Sequence, residues 1–171
     1  MEGISSEVSS LAGHLKLNNL IAIYDANNIS LDGPLPQSCS EDTKSRYRAY
    51  GWDVVEIDGH DFDEINAAIQ PLLIFQEKPT MIIARTVIGK GSPNRAGTSK
   101  VHGSPLGAEE ARATKEALGI PSESFFVPQS VYDFFAKKRE QQDEMEEAWN
   151  HHLNDWAKNH PEDFKVFEAM K

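Results

Sequence analysis

The chain of 171 residues has little cysteine, a deficit of basic charge and no long apolar run. Its single cysteine, Cys39, excludes an internal disulfide and a cysteine-built metal site. The chain has 17 Lys and Arg residues against 27 Asp and Glu residues, which gives a formal net charge of −10 and argues against nucleic-acid binding. No window approaches the roughly 18 apolar residues of a membrane span. We therefore expect a soluble, cytoplasmic protein that binds neither nucleic acid nor membrane.

The apolar pattern alternates between helix and strand along most of the chain. It predicts helices over residues 5–17, 41–50, 61–75 and 107–118, and strands over residues 20–24, 52–57 and 79–88. Pro71 is expected to kink or shorten the third helix. Beyond residue 128 the pattern is helical to His160, and a short helix restarts at Pro161. This alternation predicts an α/β fold with a mostly parallel sheet and helices on both faces.

Polar residues follow the first predicted strand, where ligands bind in parallel sheets. Asp25, Asn27 and Asn28 lie there. Mg²⁺ prefers oxygen ligands, and the Asn27 side chain together with the backbone carbonyl of Ile29 offers two. The alternative is that Asn27 and Asn28 are ordinary turn residues, and the residue pattern by itself favours that alternative.

A long connection rich in glycine, residues 89–107, follows the third predicted strand, and we call it the glycine loop. Long loops at strand ends often carry function. His102 lies in this loop and not on an apolar face, so it is a candidate for hydrogen bonding to phosphate or for proton transfer. A solvated surface histidine is the equally weighted alternative. The loop lacks the Walker spacing, so no P-loop is predicted.

Several ordered segments of the chain closely resemble transketolase. They are Met1-Glu2-Gly3-Ile4-Ser5-Ser6-Glu7, Tyr24-Asp25-Ala26-Asn27, Ile29-Ser30-Leu31-Asp32-Gly33, Tyr50-Gly51-Trp52, Ile88-Gly89-Lys90-Gly91-Ser92 and Val101-His102-Gly103-Ser104-Pro105-Leu106. The resemblance implies an enzyme that uses thiamine diphosphate and Mg²⁺ to transfer a two-carbon ketol unit from a ketose phosphate to an aldose phosphate. It also implies a homodimer acting in the pentose phosphate pathway. Dihydroxyacetone synthase is a near relative that these segments do not separate.

The resemblance assigns roles to individual residues. It implies that the Asn27 side chain and the Ile29 carbonyl bind Mg²⁺, or Ca²⁺ in its place, and thereby hold the diphosphate. Asp25 and Ile88 resemble residues of the cofactor pocket. His102 resembles a catalytic histidine that reaches both diphosphate and substrate.

The resemblance also implies how the chain is organised. Glu2 and Glu7 resemble acids at the dimer interface. Residues 1–127 resemble part of the diphosphate-binding domain, and residues 128–171 form a helical segment that leads towards a pyrimidine-binding domain.

The chain departs from the family pattern by beginning past a Gly-Asp-Gly motif that carries another Mg²⁺ ligand. We therefore expect the isolated chain to bind thiamine diphosphate weakly and to be inactive. A non-catalytic fragment and a binding module of a split enzyme are the alternatives.

Overall fold

The computed structural model describes residues 3–170. The chain divides into two compact units, Met1–Pro121 and Ser122–Lys171. The helices of the first unit are α1 (Ser5–His14), α2 (Thr43–Ala49), α3 (Phe62–Ile74) and α4 (Ala108–Ala117). Its strands are β1 (Ile21–Ala26), β2 (Ile29–Ser30), β3 (Gly33–Pro34), β4 (Asp53–Asp58) and β5 (Thr80–Arg85). Short 3₁₀ turns occupy Leu35–Gln37 and Ser99–Val101.

The main sheet of the first unit has three parallel strands in the order β1-β5-β4. Thr80 at the start of β5 is in register with Ile21 of β1 and with Asp53 of β4. Because all three strands have six residues, their carboxyl ends lie level at one edge of the sheet. Strands β2 and β3 form a separate antiparallel hairpin just beyond the end of β1.

Side chains of the central strand β5 alternate between two apolar clusters. Met81 and Ile83 belong to one cluster, and Ile82 and Ala84 to the other. The first cluster includes Ala12 of α1, Tyr47 of α2 and Trp52. The second includes Ile65, Ala68, Ile69 and Leu72 of α3. Since successive side chains of a strand point to opposite faces, helices cover both faces of the sheet, and the predicted α/β fold is confirmed.

Helix α1 packs closely against the segment that enters β4. The Trp52 indole Nε1 donates a 2.8 Å hydrogen bond to the backbone carbonyl of Ser9, and the Ser9 hydroxyl donates one of 3.2 Å to the Tyr47 hydroxyl. A Cβ atom placed on Gly13 would lie 1.8 Å from the carbonyl oxygen of Tyr50. Only glycine therefore permits the helix to approach the backbone this closely.

Some element boundaries differ from the sequence predictions. Helix α1 ends at His14 instead of residue 17, because Lys16 adopts a left-handed backbone with φ of 49°. Strand β5 ends at Arg85, so the predicted strand over 79–88 was too long by three residues at this end. Strand β1 continues through Asp25 to Ala26, where the sequence predicted a stop.

Pro71 neither ends nor visibly shortens α3. The helix continues to Ile74, and the Phe75 N–H donates to the Pro71 carbonyl at 3.2 Å. The Pro71 ring deprives only one carbonyl, that of Ala67, of its helical donor. Both residues are exposed, so water is available to that carbonyl.

The second unit contains α5 (Gln129–Asn159) and α6 (Pro161–Ala169). The break at His160 and the restart at Pro161 confirm the sequence prediction. Trp156 of α5 contacts the rings of Phe164 and Phe167 at centroid distances of 6.0 and 6.1 Å. None of the helices over residues 3–170 has the length and apolar character needed to cross a bilayer.

Candidate functional site

The candidate site begins where β1 and β5 end side by side. Asp25 of β1 is in register with Ala84 of β5. The hydroxyl of Thr86, just beyond β5, donates a hydrogen bond to Asp25 Oδ1. This bond joins the two segments that leave the carboxyl edge of the sheet.

Asn27 is held by hydrogen bonds at both ends of its amide group. Its Oδ1 accepts a 3.0 Å bond from the Ile29 N–H, and its Nδ2 donates a 3.4 Å bond to Asp25 Oδ2. These partners fix which end of the amide is oxygen. Asn28 then takes a φ of 59°, and its carbonyl accepts from the Leu35 N–H at 2.8 Å, which turns the chain back along the hairpin. The structure thus brings Asp25, Asn27 and Ile29 together in one polar turn.

The glycine loop leaves β5 along a different route. The Val87 N–H donates a 2.8 Å bond to His60 Nε2, and the Gly97 N–H donates one of 2.8 Å to the Ile88 carbonyl. Gly89 has a φ of 65°, and a Cβ there would lie 3.0 Å from a methyl group of Val101. The half-buried Ile88 is therefore fixed at the start of the glycine loop, just beyond the sheet edge.

His102 lies in the same loop, immediately after the 3₁₀ turn Ser99–Val101. Its backbone N–H donates a 3.0 Å bond to the Ser99 carbonyl, and the residue is half-buried. His102 and Ile88 therefore belong to one folded connection, separate in sequence from the turn that holds Asn27.

Glu110 of α4 closes the glycine loop, and the sequence analysis missed it. Its carboxylate accepts hydrogen bonds from the Ser92 hydroxyl and from the backbone and side chain of Asn94. These bonds, that of Ser92 first, lower the pKa of Glu110 from 4.5 to about 2. No local motif distinguishes Glu110 from the neighbouring Glu109, because its partners lie 16 and 18 positions away.

A polar cleft of about 840 Å³ opens on the face of the sheet that carries α1 and α2. The residues that line it include Tyr24, Asn28, Lys44, Glu56 and Arg85. The Glu56 carboxylate accepts from Lys44 and, at 3.0 Å, from Arg85, and these two bonds lower its pKa. The cleft therefore contains charged groups that pair with one another across α2, β4 and β5.

Helix α1 places Glu7 on the exposed surface of its first turn. The same helix and the residues that cap it expose four apolar side chains, each more than half accessible: Ile4, Val8, Leu11 and Leu15. Their spacing of three and four residues puts them on one face of the helix. Glu2, the other residue predicted at an interface, lies outside the described residues.

A parallel sheet with a polar turn and a long loop at its carboxyl edge is the architecture of an α/β domain, the class in which ligands generally bind at that edge. A family model described as transketolase, thiamine diphosphate binding domain, matches residues 1–171. The chain belongs to the transketolase family through this thiamine diphosphate-binding domain. The family and fold predicted from the sequence are thereby confirmed.

Relatives and solved structures agree with this assignment. Transketolase of Bacillus subtilis (strain 168) is 49% identical over 165 residues, which cover 95% of this chain and 25% of that protein. Transketolase from Leishmania mexicana has a TM-score of 0.90 at 35% identity, covering 99% of this chain and 26% of the other. A Pichia stipitis transketolase in complex with sedoheptulose-7-phosphate has a TM-score of 0.86 at 41% identity, covering 95% of this chain and 24% of the other. The chain spans about a quarter of the length of these relatives.

Proposed function

We propose that this chain supplies the diphosphate-binding part of a transketolase that moves a two-carbon ketol unit between sugar phosphates in the cytoplasm. The observation that carries the proposal is the fixed amide of Asn27 at the carboxyl edge of β1. Membership of the transketolase family supports the reaction class. The sugar phosphate held by the Pichia stipitis protein supports the substrate class.

The donor groups at this turn fit a Mg²⁺ ion. Asn27 Oδ1 has a second lone pair besides the one that accepts from the Ile29 N–H, and Ile29 contributes a backbone carbonyl. Both are oxygen donors of the kind that Mg²⁺ or Ca²⁺ prefers. In the proposal Asn27 and Ile29 hold the ion, and the diphosphate and water supply further oxygens. Asp25 orients the Asn27 amide by accepting the hydrogen bond from its Nδ2.

The two remaining predicted residues act on the cofactor and substrate, Ile88 from just before the glycine loop and His102 from within it. When bound, thiamine diphosphate supplies the electron sink for breaking a carbon–carbon bond. Ile88 offers an apolar surface on which the cofactor packs. His102 offers an imidazole that donates a hydrogen bond to phosphate or substrate, or that transfers a proton.

The proposal includes a homodimer that uses the exposed face of α1. A row of four exposed apolar side chains beside Glu7 is more typical of a buried surface than of one facing water. Residues 1–127 in this proposal belong to the cofactor domain, and residues 128–171 lead out of it.

A chimera with a relative tests the proposal. This chain replaces the corresponding 165 residues of Bacillus subtilis transketolase, and ketol transfer from a ketose phosphate is measured. We expect transfer that requires both thiamine diphosphate and Mg²⁺. A folded chimera that binds neither the cofactor nor the sugar phosphate would contradict the proposal.

The isolated chain provides the complementary measurement. Calorimetric titration with thiamine diphosphate and Mg²⁺ is expected to show affinity weaker than micromolar and no turnover. Micromolar binding by the isolated chain would instead favour a self-sufficient binding module.

A further inference from the structure

Glu110 is a buried acid whose carboxylate accepts hydrogen bonds from Ser92 and Asn94 of the glycine loop. The residue is only 9% exposed. Its Oε1 accepts from the Ser92 hydroxyl and, at 2.9 Å, from the Asn94 N–H. Its Oε2 accepts from Asn94 Nδ2 at 3.0 Å. The proposed reaction chemistry uses neither this carboxylate nor these donors.

Two further hydrogen bonds, both donated by Arg95, extend this network through the loop towards His102. The Arg95 N–H donates to the Ser92 hydroxyl oxygen at 3.2 Å, and Arg95 Nη1 donates to the Pro105 carbonyl at 3.2 Å. Glu110 therefore connects helix α4 to the first part of the loop, and Arg95 connects that part to the segment just after His102.

A buried carboxylate is unfavourable unless hydrogen bonds replace its lost water. Here the replacement donors come from the loop, so the charge is satisfied only while the loop is closed on α4. Hydrogen bonds to an ionised acceptor are also roughly twice as strong as those between neutral groups. The carboxylate thus favours one loop arrangement over open ones.

We propose that Glu110 is a positioning residue: its carboxylate holds the glycine loop in the arrangement that presents Ile88 and His102 at the carboxyl edge of the sheet. The inference deepens the proposed function and rests on it for the roles of Ile88 and His102. The effect of Glu110 on loop order is independent of that function.

The first test measures loop order in the full chain. Hydrogen exchange is compared between wild type, Glu110→Gln and the matched control Glu109→Gln, which removes the same charge from an exposed neighbouring position. We expect loop peptides of Glu110→Gln to exchange about tenfold faster, since a charged acceptor is lost, while β5 peptides stay unchanged. Loop exchange equal to wild type, or an equal rise in β5, would overturn the inference.

A second, milder variant tests the inference in case Glu110→Gln does not fold. Ser92→Ala removes one donor to Glu110 and the acceptor of the Arg95 N–H, and it leaves the carboxylate satisfied by Asn94. We expect faster exchange in the loop alone, by a smaller factor than for Glu110→Gln. Protection that is unchanged in Ser92→Ala would count against the inference.

The second test separates positioning from general stabilisation. In the chimera, Glu110→Gln is expected to raise the thiamine diphosphate concentration needed for half-saturation about tenfold at temperatures well below unfolding. Glu109→Gln is expected to leave it unchanged. A lowered melting temperature with unchanged cofactor affinity would reduce Glu110 to a structural role. Absence of cofactor binding by the wild-type chimera would refute the proposed function, while the exchange result would still decide the role of Glu110 in the loop.

Discussion

The Nε2 atom of His60 accepts a 2.8 Å hydrogen bond from the backbone N–H of Val87. His60 lies just beyond β4, where its backbone N–H donates a 2.8 Å hydrogen bond to Asp58 Oδ1. The bond therefore ties the exit of β4 to the first residues after β5. Because Nε2 is the acceptor, the neutral imidazole carries its proton on Nδ1.

Replacing His60 tests this tie. His60→Leu removes the acceptor of the Val87 N–H, and we expect a loss of about 1 kcal/mol in the free energy of unfolding and faster exchange at the Val87 amide. His60→Gln retains an acceptor oxygen and is expected to lose less. Urea unfolding and hydrogen exchange measure both quantities. Equal protection of Val87 in wild type and His60→Leu would show that water replaces the imidazole without loss.

The sequence predicted the helices and strands whose positions follow from the pattern of apolar residues within a short segment. Apolar runs located β1, β4 and β5, and amphipathic spacing located the helices, because burial on both sides of a sheet imposes these patterns locally. The hairpin β2–β3 was not predicted, since its two-residue strands are too short to show a period. Asn27 became a candidate because it follows a strand, and its predicted role came from the resemblance to the family.

The partners that hold the site were not predictable in the same way. Thr86 contacts Asp25 across 61 positions of sequence, and His60 contacts Val87 across 27. Such pairs depend on strand order, which places β5 between β1 and β4. His60 did carry one signal, since it follows a predicted strand as Asn27 does, whereas Glu110 carried none.

Among the small residues of α1, Gly13 is expected to lose the most stability on substitution. A Cβ there would overlap the Tyr50 carbonyl oxygen at 1.8 Å and come within 3.3 Å of the Trp52 ring. Relief requires a backbone shift, so Gly13→Ala should destabilise the fold by about 3 kcal/mol despite the better helix propensity of alanine. Urea denaturation measures the loss. The exposed Ser10→Ala in the same helix is the control and should change stability by less than about 0.5 kcal/mol. Equal effects of the two substitutions would contradict the close approach.

The Asn27 side chain has an oxygen that accepts a hydrogen bond and an amide nitrogen that donates one, and two substitutions test these atoms separately. Asn27→Ala removes the oxygen donor and the acceptor of the Ile29 N–H, so the chimera should need at least about tenfold more Mg²⁺ and cofactor for half-saturation. Titration calorimetry measures the change. Unaltered metal dependence in a folded Asn27→Ala chimera would remove Asn27 from the proposed site.

Asn27→Asp keeps the oxygen but loses the amide that donates to Asp25. Two carboxylates then lie next to each other, and their repulsion destabilises the fold at neutral pH. We expect the stability difference from wild type to shrink as the pH falls and one carboxylate becomes protonated. Urea unfolding at pH 7 and pH 5 measures it. A difference that does not vary with pH would show that Asp25 and Asn27 do not interact in solution.

The carboxylate of Glu110 makes one identifiable contribution to the stability of the chain in acid. Its bonds to Ser92 and Asn94 lower its pKa from 4.5 to about 2 in the folded state. A depressed folded pKa means that the stabilisation is complete above pH 4.5 and is lost as the pH falls towards 2. Glu110→Gln has no such proton to bind. The gap in urea midpoint between wild type and Glu110→Gln should therefore be widest above pH 4.5 and narrow steadily towards pH 2.

Other acids with lowered pKa values, Asp42 and Glu56, remain in both proteins, so their contribution to acid unfolding cancels in this comparison. Glu109→Gln removes an exposed acid from the same helical turn and should follow the wild-type curve. A gap that stays constant with pH would show that the loop donors do not favour the ionised form. In that case the glycine loop would close on α4 through packing, such as that of Leu118 against Gly91, and not through the charge of Glu110.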